Sequence, residues 1–310
     1  MSARHERALA RIAVARYTAA LKRPQAEILP KRVQHMTERV PLDVASLSHP
    51  GMVRSHNEDA AFVDGVAGLA VLADGMGGYN AGEVASGIAV DAITKNMLPD
   101  LRSRRDLTKV DNATGRTHAA LLLQQQIEAA NKAIYEAAQA RPECAGMGTT
   151  IVASVFCGNR ASIGHVGDSR CYRLRGETLE QLTRDHSLLQ EQIDSGMLTR
   201  ERAKYSLNKN LVTRALGIDE SAPVDIVEYR VETGDIYLLC SDGLSDMVDA
   251  EVIGSTLVRN RADLAAAAAE LVDLANRGGG RDNISVVLVG IPEGFLPAVG
   301  WVQRWLAKND

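Results

Sequence analysis

Residues 150–182 read TIVASVFCGNRASIGHVGDSRCYRLRGETLEQL. Two apolar runs, Thr149–Phe156 and Ala161–Val166, stand a few residues apart, and a more polar strand-like segment follows up to Leu182. Short strands that recur in tandem point to hairpins. They favour antiparallel sheets flanked by helices over alternating βαβ units, and so an α+β fold class. Working outward, further strand-like runs lie at Gly68–Ala73, Asp235–Cys240 and Ile284–Val289. Helical periodicity covers Glu83–Met97, His118–Ala140, Glu251–Arg259 and Ala262–Asn276. Three glycines, Gly278, Gly279 and Gly280, stop the last helix before the final strand. The polar stretch Leu101–Thr117, with Arg102, Arg104, Arg105 and Lys109, reads as a solvated loop between two helices rather than an anion site.

The chain has 310 residues, 45% of them hydrophobic and 24% charged, enough for a sizeable core and incompatible with global disorder. A net charge of −4 argues against a nucleic-acid binder with a broadly basic surface. No run of 18 apolar residues marks a stable membrane insertion, and the N-terminus lacks the apolar stretch of a secretory signal. Cys144, Cys157, Cys171 and Cys240 form no Cys-x-x-Cys pair, so zinc and redox motifs are unsupported and reduced thiols in a cytoplasmic protein are expected.

Charge is unevenly spread. Residues 1–42 hold nine Lys/Arg against three Glu, which leaves 26 basic and 36 acidic residues in the rest. The acidic body suggests bound cations, and the basic arm is an appendage. Residues 2–23 read as a helix with Arg4, Arg7 and Arg11 on one face; Pro24, Pro30 and Pro41 then set a domain boundary near Leu42. Glu6, Glu27, Glu38 and a single serine weigh against a mitochondrial transit peptide. At the other end, Val299, Trp301, Val302, Trp305 and Leu306 share one side of a helical wheel, opposite Gln303, Arg304 and Lys308. This tail, 293–310, either packs on its own domain or docks to a partner such as a kinase or scaffold, helped by the basic arm.

The chemistry lies in aspartates where apolar strands end or begin. Asp74 follows Leu69–Ala73 and precedes Gly75-Met76-Gly77-Gly78; Asp168 sits in Gly167-Asp168-Ser169-Arg170 after Ala161–Val166. Asp242 lies in Ser241-Asp242-Gly243 after Ile236–Cys240, and Asp282 in Arg281-Asp282-Asn283 before Ile284–Val289. Any one Asp-Gly can be a turn and nothing more. If four such strand ends converge, their carboxylates repel unless hard cations neutralise them, and oxygen-rich sites of this kind suit Mg²⁺ or Mn²⁺ rather than zinc. Upstream, Arg54-Ser55-His56-Asn57-Glu58-Asp59 places a guanidinium near two acids, a local ion pair on a surface turn or a phosphate clamp beside a metal.

Those motifs, with Gly146-Met147-Gly148-Thr149-Thr150 between them, occur in one order that resembles the metal-dependent serine/threonine protein phosphatases of type 2C, in particular the bacterial branch. The resemblance covers about residues 43–290. It implies a four-layer α/β/β/α sandwich over residues 43–292, with two central antiparallel sheets flanked by helix pairs and metals at one edge. It implies two tight Mn²⁺ or Mg²⁺ ions and a weaker third. By motif, Asp74 would bridge the two tight ions, with the Gly75 carbonyl on one of them. Asp242 and Asp282 would complete the second site, and Glu58 and Asp59 would act through metal-bound waters. Asp168 would help hold the third ion, and Arg54 would bind the substrate phosphate.

A water shared by two divalent ions would attack phosphorus without a phosphoenzyme, releasing serine or threonine from phosphoproteins and opposing a cognate serine/threonine kinase. Animal members carry a histidine where this chain has Met76, so protonation of the leaving group would fall to a metal-bound water, as expected of the bacterial branch. His56 would be structural. Arg184–Gly217 matches the bacterial flap, polar through Lys204, Asn208, Lys209 and Asn210. Two other readings stay open: a catalytically dead fold used for binding, which the complete set of metal acids disfavours, and a related metal-dependent hydrolase acting on a small phosphorylated molecule or a regulator protein.

Overall fold

The computed structural model describes residues 40–78, 81–103, 106–199, 202 and 211–295. The expected N-terminal helix, most of the C-terminal tail and the polar centre of 184–217 lie outside the described residues.

Two antiparallel sheets form the middle. The first has the order β1 (Asp43–His49), β11 (Ile284–Gly290), β10 (Ile236–Cys240), β7 (Arg170–Arg175) and β8 (Thr178–Gln181). The second runs β2 (Asp59–Asp64), β3 (Leu69–Met76), β5 (Ile151–Cys157), β6 (Arg160–Val166) and β9 (Asp225–Arg230), with β4 (Gly148–Thr149) paired to the end of β3. Residues 150–182 supply two hairpins, β5–β6 and β7–β8. Cys157 pairs with Arg160 across Gly158-Asn159, and Gly158 takes φ +62°, the left-handed conformation a two-residue hairpin turn needs.

Helices α1 (Ala81–Arg102) and α2 (His118–Ala140) cover the second sheet, burying Ala85, Ala89, Ile93 and Met97 from one and Leu123, Ile127, Ala130 and Ile134 from the other. Helices α5 (Ala250–Arg259) and α6 (Leu264–Arg277) cover the first through Ile253, Leu257, Leu271 and Ala275. Between the sheets, Leu72, Val152, Ile163, Tyr237, Leu239 and Val287 interlock. This is the four-layer sandwich. Truncating a fully buried residue there, such as Ile163, costs about 2–5 kcal/mol in lost transfer energy and cavity formation. Two further helices among the described residues are short: α3 (Leu188–Asp194), capped by Ser187, and α4 (Asp242–Ser245).

Three strands escape the sequence pattern. In β1 one face stays largely exposed, the apolar run of β2 is short (Ala60–Val63) and half-buried, and β9 mixes Asp225, Glu228 and Arg230 with apolar residues. Helix α1 runs past Met97 through Pro99, because Leu98 and Leu101 still pack on the core and offset the bond to the Lys95 carbonyl that the proline cannot make. Thr117 is not loop but the cap of α2, its hydroxyl oxygen accepting from the Ala120 N–H at 3.2 Å. Leu42, Ile291 and Phe295 sit in the layer between the sheets, so the folded unit reaches at least from Leu42 to Phe295.

Candidate functional site

The acidic residues reach one edge of the sandwich from both sheets. The β2–β3 register sets Asp59 directly opposite Asp74. Glu58 precedes β2, Asp242 begins α4 as β10 ends, and Asp282 leads into β11. Asp168 lies on the turn from β6 to β7. Neutral side chains lock these pieces together. The Asn283 Oδ1 accepts from the Glu58 N–H at 2.7 Å, while its Nδ2 donates to the carbonyls of Pro50 at 3.1 Å and His56 at 2.8 Å. Ser241 donates to Asp59 Oδ2 at 2.9 Å and accepts from the Ser285 N–H at 3.0 Å. Thr150 Oγ1 accepts from the Asp74 N–H at 3.1 Å and lies 2.7 Å from Ser169 Oγ, which ties the Asp168 turn to β3.

Burial, and then the neighbouring carboxylates, push Asp74 and Asp242 well above the ordinary range. Burial likewise raises Asp59 and Asp168, each to about 6. Glu58 is raised by burial against the opposing pull of Arg54. Arg54 pairs with Asp282 at 2.7 Å, an ion pair that holds its guanidinium charged. The Oδ1 atoms of Asp59 and Asp242 are buried and accept no hydrogen bond. A buried acceptor left unclaimed costs stability unless something else fills its lone pairs. Crowded carboxylates with buried oxygens to spare fit divalent cations that take hard oxygen ligands. Gly75 is part of that fit. A Cβ there would stand 2.2 Å from the Gly82 carbonyl oxygen and 2.6 Å from that of Glu58, so only glycine lets the backbone enter.

Arg54, Glu58, Asp59, Asp74, Gly75, Asp168, Asp242 and Asp282 are therefore brought to one edge. Met76 is half-buried and paired with Gly148. The His56 side chain is exposed, while its carbonyl is held by Asn283. The sequence reading assigned nothing to Asn283, Ser241, Thr150 or Ser169, although each stands beside a motif acid or within a motif. A cleft of about 910 Å³ opens from Asp168 and Asp242 along α3, where Arg170, Asp185, Leu189 and Ile193 line it.

Residues 53–285 match the family described as Protein phosphatase 2C. The chain belongs to that family. The serine/threonine protein phosphatase PstP of Mycobacterium tuberculosis is 40% identical over 251 residues, covering 81% of this chain and 45% of that protein. The chain thus spans about half the length of that relative. A serine/threonine phosphatase, stp, of Listeria welshimeri is 37% identical over 242 residues, covering 77% of this chain and 92% of its own length. Among solved structures of the family, that of the M. tuberculosis PstP/Ppp superposes with a TM-score of 0.73 at 37% identity, covering 82% of this chain and 100% of that one. A catalytic domain of PstP in complex with two manganese ions superposes with a TM-score of 0.69 at 37% identity, covering 82% of this chain and 99% of that one.

Proposed function

We propose that this chain is a metal-dependent protein phosphatase that hydrolyses phosphoserine and phosphothreonine on proteins, reversing a serine/threonine kinase in the cytoplasm. The observation that carries the reading is the pair of buried, unclaimed carboxylate oxygens on Asp59 and Asp242 among acids whose pKa values are driven up. Asp74, Asp242, Asp282 and the Gly75 carbonyl hold two Mn²⁺ or Mg²⁺ ions, Glu58 and Asp59 support them, and Asp168 serves a weaker third. Ions so held supply Lewis acidity and lower the pKa of water, which makes an attacking hydroxide available near neutral pH.

The chain's own residues do the rest. Arg54 sits half-exposed at the rim, with Nη2 on Asp282, and a guanidinium fork has further N–H groups to orient a phosphate. Asn283 fixes the Glu58 backbone, and Ser241 keeps the Asp59 carboxylate from swinging away when charge builds on phosphorus. Met76 has no proton to give, so no side chain at that position acts as acid. The cleft along α3 accepts the residues that flank the phosphorylated one.

The test is phosphate release by the purified chain from phosphoserine and phosphothreonine peptides, with Mn²⁺ and with EDTA. Turnover that survives chelation sinks the metal reading. Turnover confined to small phosphoesters sinks the protein-substrate part alone.

A further inference from the structure

The turn that carries Asp168 is gripped on both flanks by consecutive residues of the 184–217 segment. On one flank, the Gly167 N–H donates to Nδ1 of His186 at 3.1 Å, and the His186 N–H donates to the Gly167 carbonyl at 2.9 Å. On the other, the Arg170 guanidinium forks onto the Asp185 carboxylate, with Nε at 3.0 Å and Nη2 at 2.6 Å. Because Nδ1 of His186 accepts, the proton of the neutral ring belongs on Nε2, which faces Asp225 Oδ2 at 3.2 Å. Asp225 Oδ1 accepts in turn from Arg214 at 3.0 Å, at the far end of the same segment. There the Thr213 N–H also donates to the His186 carbonyl at 2.8 Å. His165, directly across from Asp225 in the β6–β9 register, stacks on His186 with ring centroids 4.7 Å apart. Both ends of the segment and the Asp168 turn thus close on one imidazole.

A metal is the obvious alternative occupant, since His165, His186 and Asp225 offer ligand atoms within 4.8 Å of one another. Two rings stacked at 17° cannot aim their in-plane lone pairs at one shared ion, and Arg214 already sets a cation 3.2 Å from His186 Nε2. The group supplies its own positive charge.

We infer that His186 is a positioning residue: its bare Nδ1 fixes the Gly167–Asp168 peptide and so ties the placement of the Asp168 carboxylate to both ends of the 184–217 segment. The inference rests on the proposed role of Asp168 at an outer divalent ion.

Two substitutions separate the ring's two nitrogens. His186→Asn leaves an amide oxygen near the place of Nδ1, whereas His186→Gln moves the amide to the Nε2 end and strips the Gly167 N–H of its acceptor. Mn²⁺ binding to the full chain is followed by calorimetry and by electron paramagnetic resonance, with turnover of p-nitrophenyl phosphate alongside. His186→Gln should weaken the weakest Mn²⁺ site roughly tenfold, as loss of a ligand's supporting hydrogen bond commonly does. The tight sites should stay unchanged, and kcat at limiting Mn²⁺ should fall while KM for the phosphoester holds. His186→Asn should restore most of the weak-site affinity.

Asp168→Ala is the reference. If it weakens a Mn²⁺ site while His186→Gln binds like the unaltered chain, the positioning inference is overturned and the ligand reading stands. If Asp168→Ala itself leaves Mn²⁺ binding untouched, both fall. Equal damage from His186→Asn and His186→Gln also overturns the acceptor role. Should His186→Gln fail to fold, nitrogen NMR of the unaltered imidazole decides, because a protonated Nδ1 at neutral pH overturns the inference and a bare one supports it.

Discussion

Two polar clusters lie at strand ends of the sandwich, and they are built on opposite terms. Around Asp74 and Asp242, half-buried carboxylates crowd together, Arg54 answers Asp282, and buried oxygens on Asp59 and Asp242 accept nothing. Around His186, the acids are answered from within: Asp225 has Arg214 and Asp185 has Arg170. In the first cluster the unclaimed atoms are carboxylate oxygens, which suit cations from outside; in the second each of these acids has its arginine, and the unclaimed buried atom is a ring nitrogen, Nδ1 of His165. Burial of acids alone therefore does not mark a metal centre. Crowded acids with unclaimed carboxylate oxygens point to one.

The sharpest way to break this contrast is to remove one acid from each side. Asp242→Asn should cut turnover by about a thousandfold or more, the order seen when key electrostatic groups are lost, yet leave the fold intact because it relieves repulsion among carboxylates. Circular dichroism and phosphate release measure the two halves of that statement; near-normal turnover with Mn²⁺ would remove Asp242 from the centre. Asp168→Ala should have a smaller effect, lowering turnover roughly tenfold with the tight ions still bound. Loss of the tight sites in calorimetry would move Asp168 inward.

A third expectation concerns pH. The folded pKa values of Asp59 and Asp168, about 6, lie above the ordinary value near 4. Without metal, the stability they contribute is present below about pH 4 and is lost as pH rises to about 6. Each such shift is worth up to about 3 kcal/mol. Bound Mn²⁺ removes the penalty of ionised carboxylates, so the melting-temperature gap between Mn²⁺-loaded and stripped protein should widen from pH 5 to pH 7.5. A flat gap would count against metal at these acids. The histidine cluster has the other sign. Burial holds His165 and His186 below the ordinary value, so their contribution is present above about pH 6.5 and is lost as pH falls, with or without Mn²⁺.

The smallest effect is expected at the ends. A chain trimmed to residues 40–295 should turn over p-nitrophenyl phosphate within about twofold of the full chain, since the site lies wholly inside it. Cutting further, to 43–292, removes Leu42 and Phe295 from between the sheets and should cost several kcal/mol on the scale of about 3–5 kcal/mol for a lost buried phenylalanine. Thermal melts of the two trimmed chains compare these costs directly.

The acids were legible because each interrupts or ends an apolar run beside Gly, Ser or Asn, a pattern that needs no partner to be noticed. Tandem hairpins likewise announced antiparallel sheets. Asn283, Ser241 and Thr150 were not legible as locks, because a small polar residue gains that meaning only from a strand many residues away. The same holds for His186, whose partners Gly167, Arg214 and Asp225 come together through topology and not through spacing. Strands β1, β2 and β9 were hidden by their partial exposure, which dilutes the alternation that marks a strand.

One hydrogen bond carries a consequence in time. The Glu58 N–H meets Asn283 Oδ1 across 225 residues of chain, and Ser241 meets Asp59 across 182. Contacts of such separation close late, after the loops between them have lost their freedom. During synthesis the early acids, Glu58, Asp59 and Asp74, emerge from the ribosome long before Asp242 and Asp282 exist. A nascent chain, or one clipped before β10, would lack Asp242 and Asp282 and with them the proposed centre. On the proposed reading, hydrolysis would begin only when the last strand has joined the sheet, and activity would then report that the whole sandwich has been built.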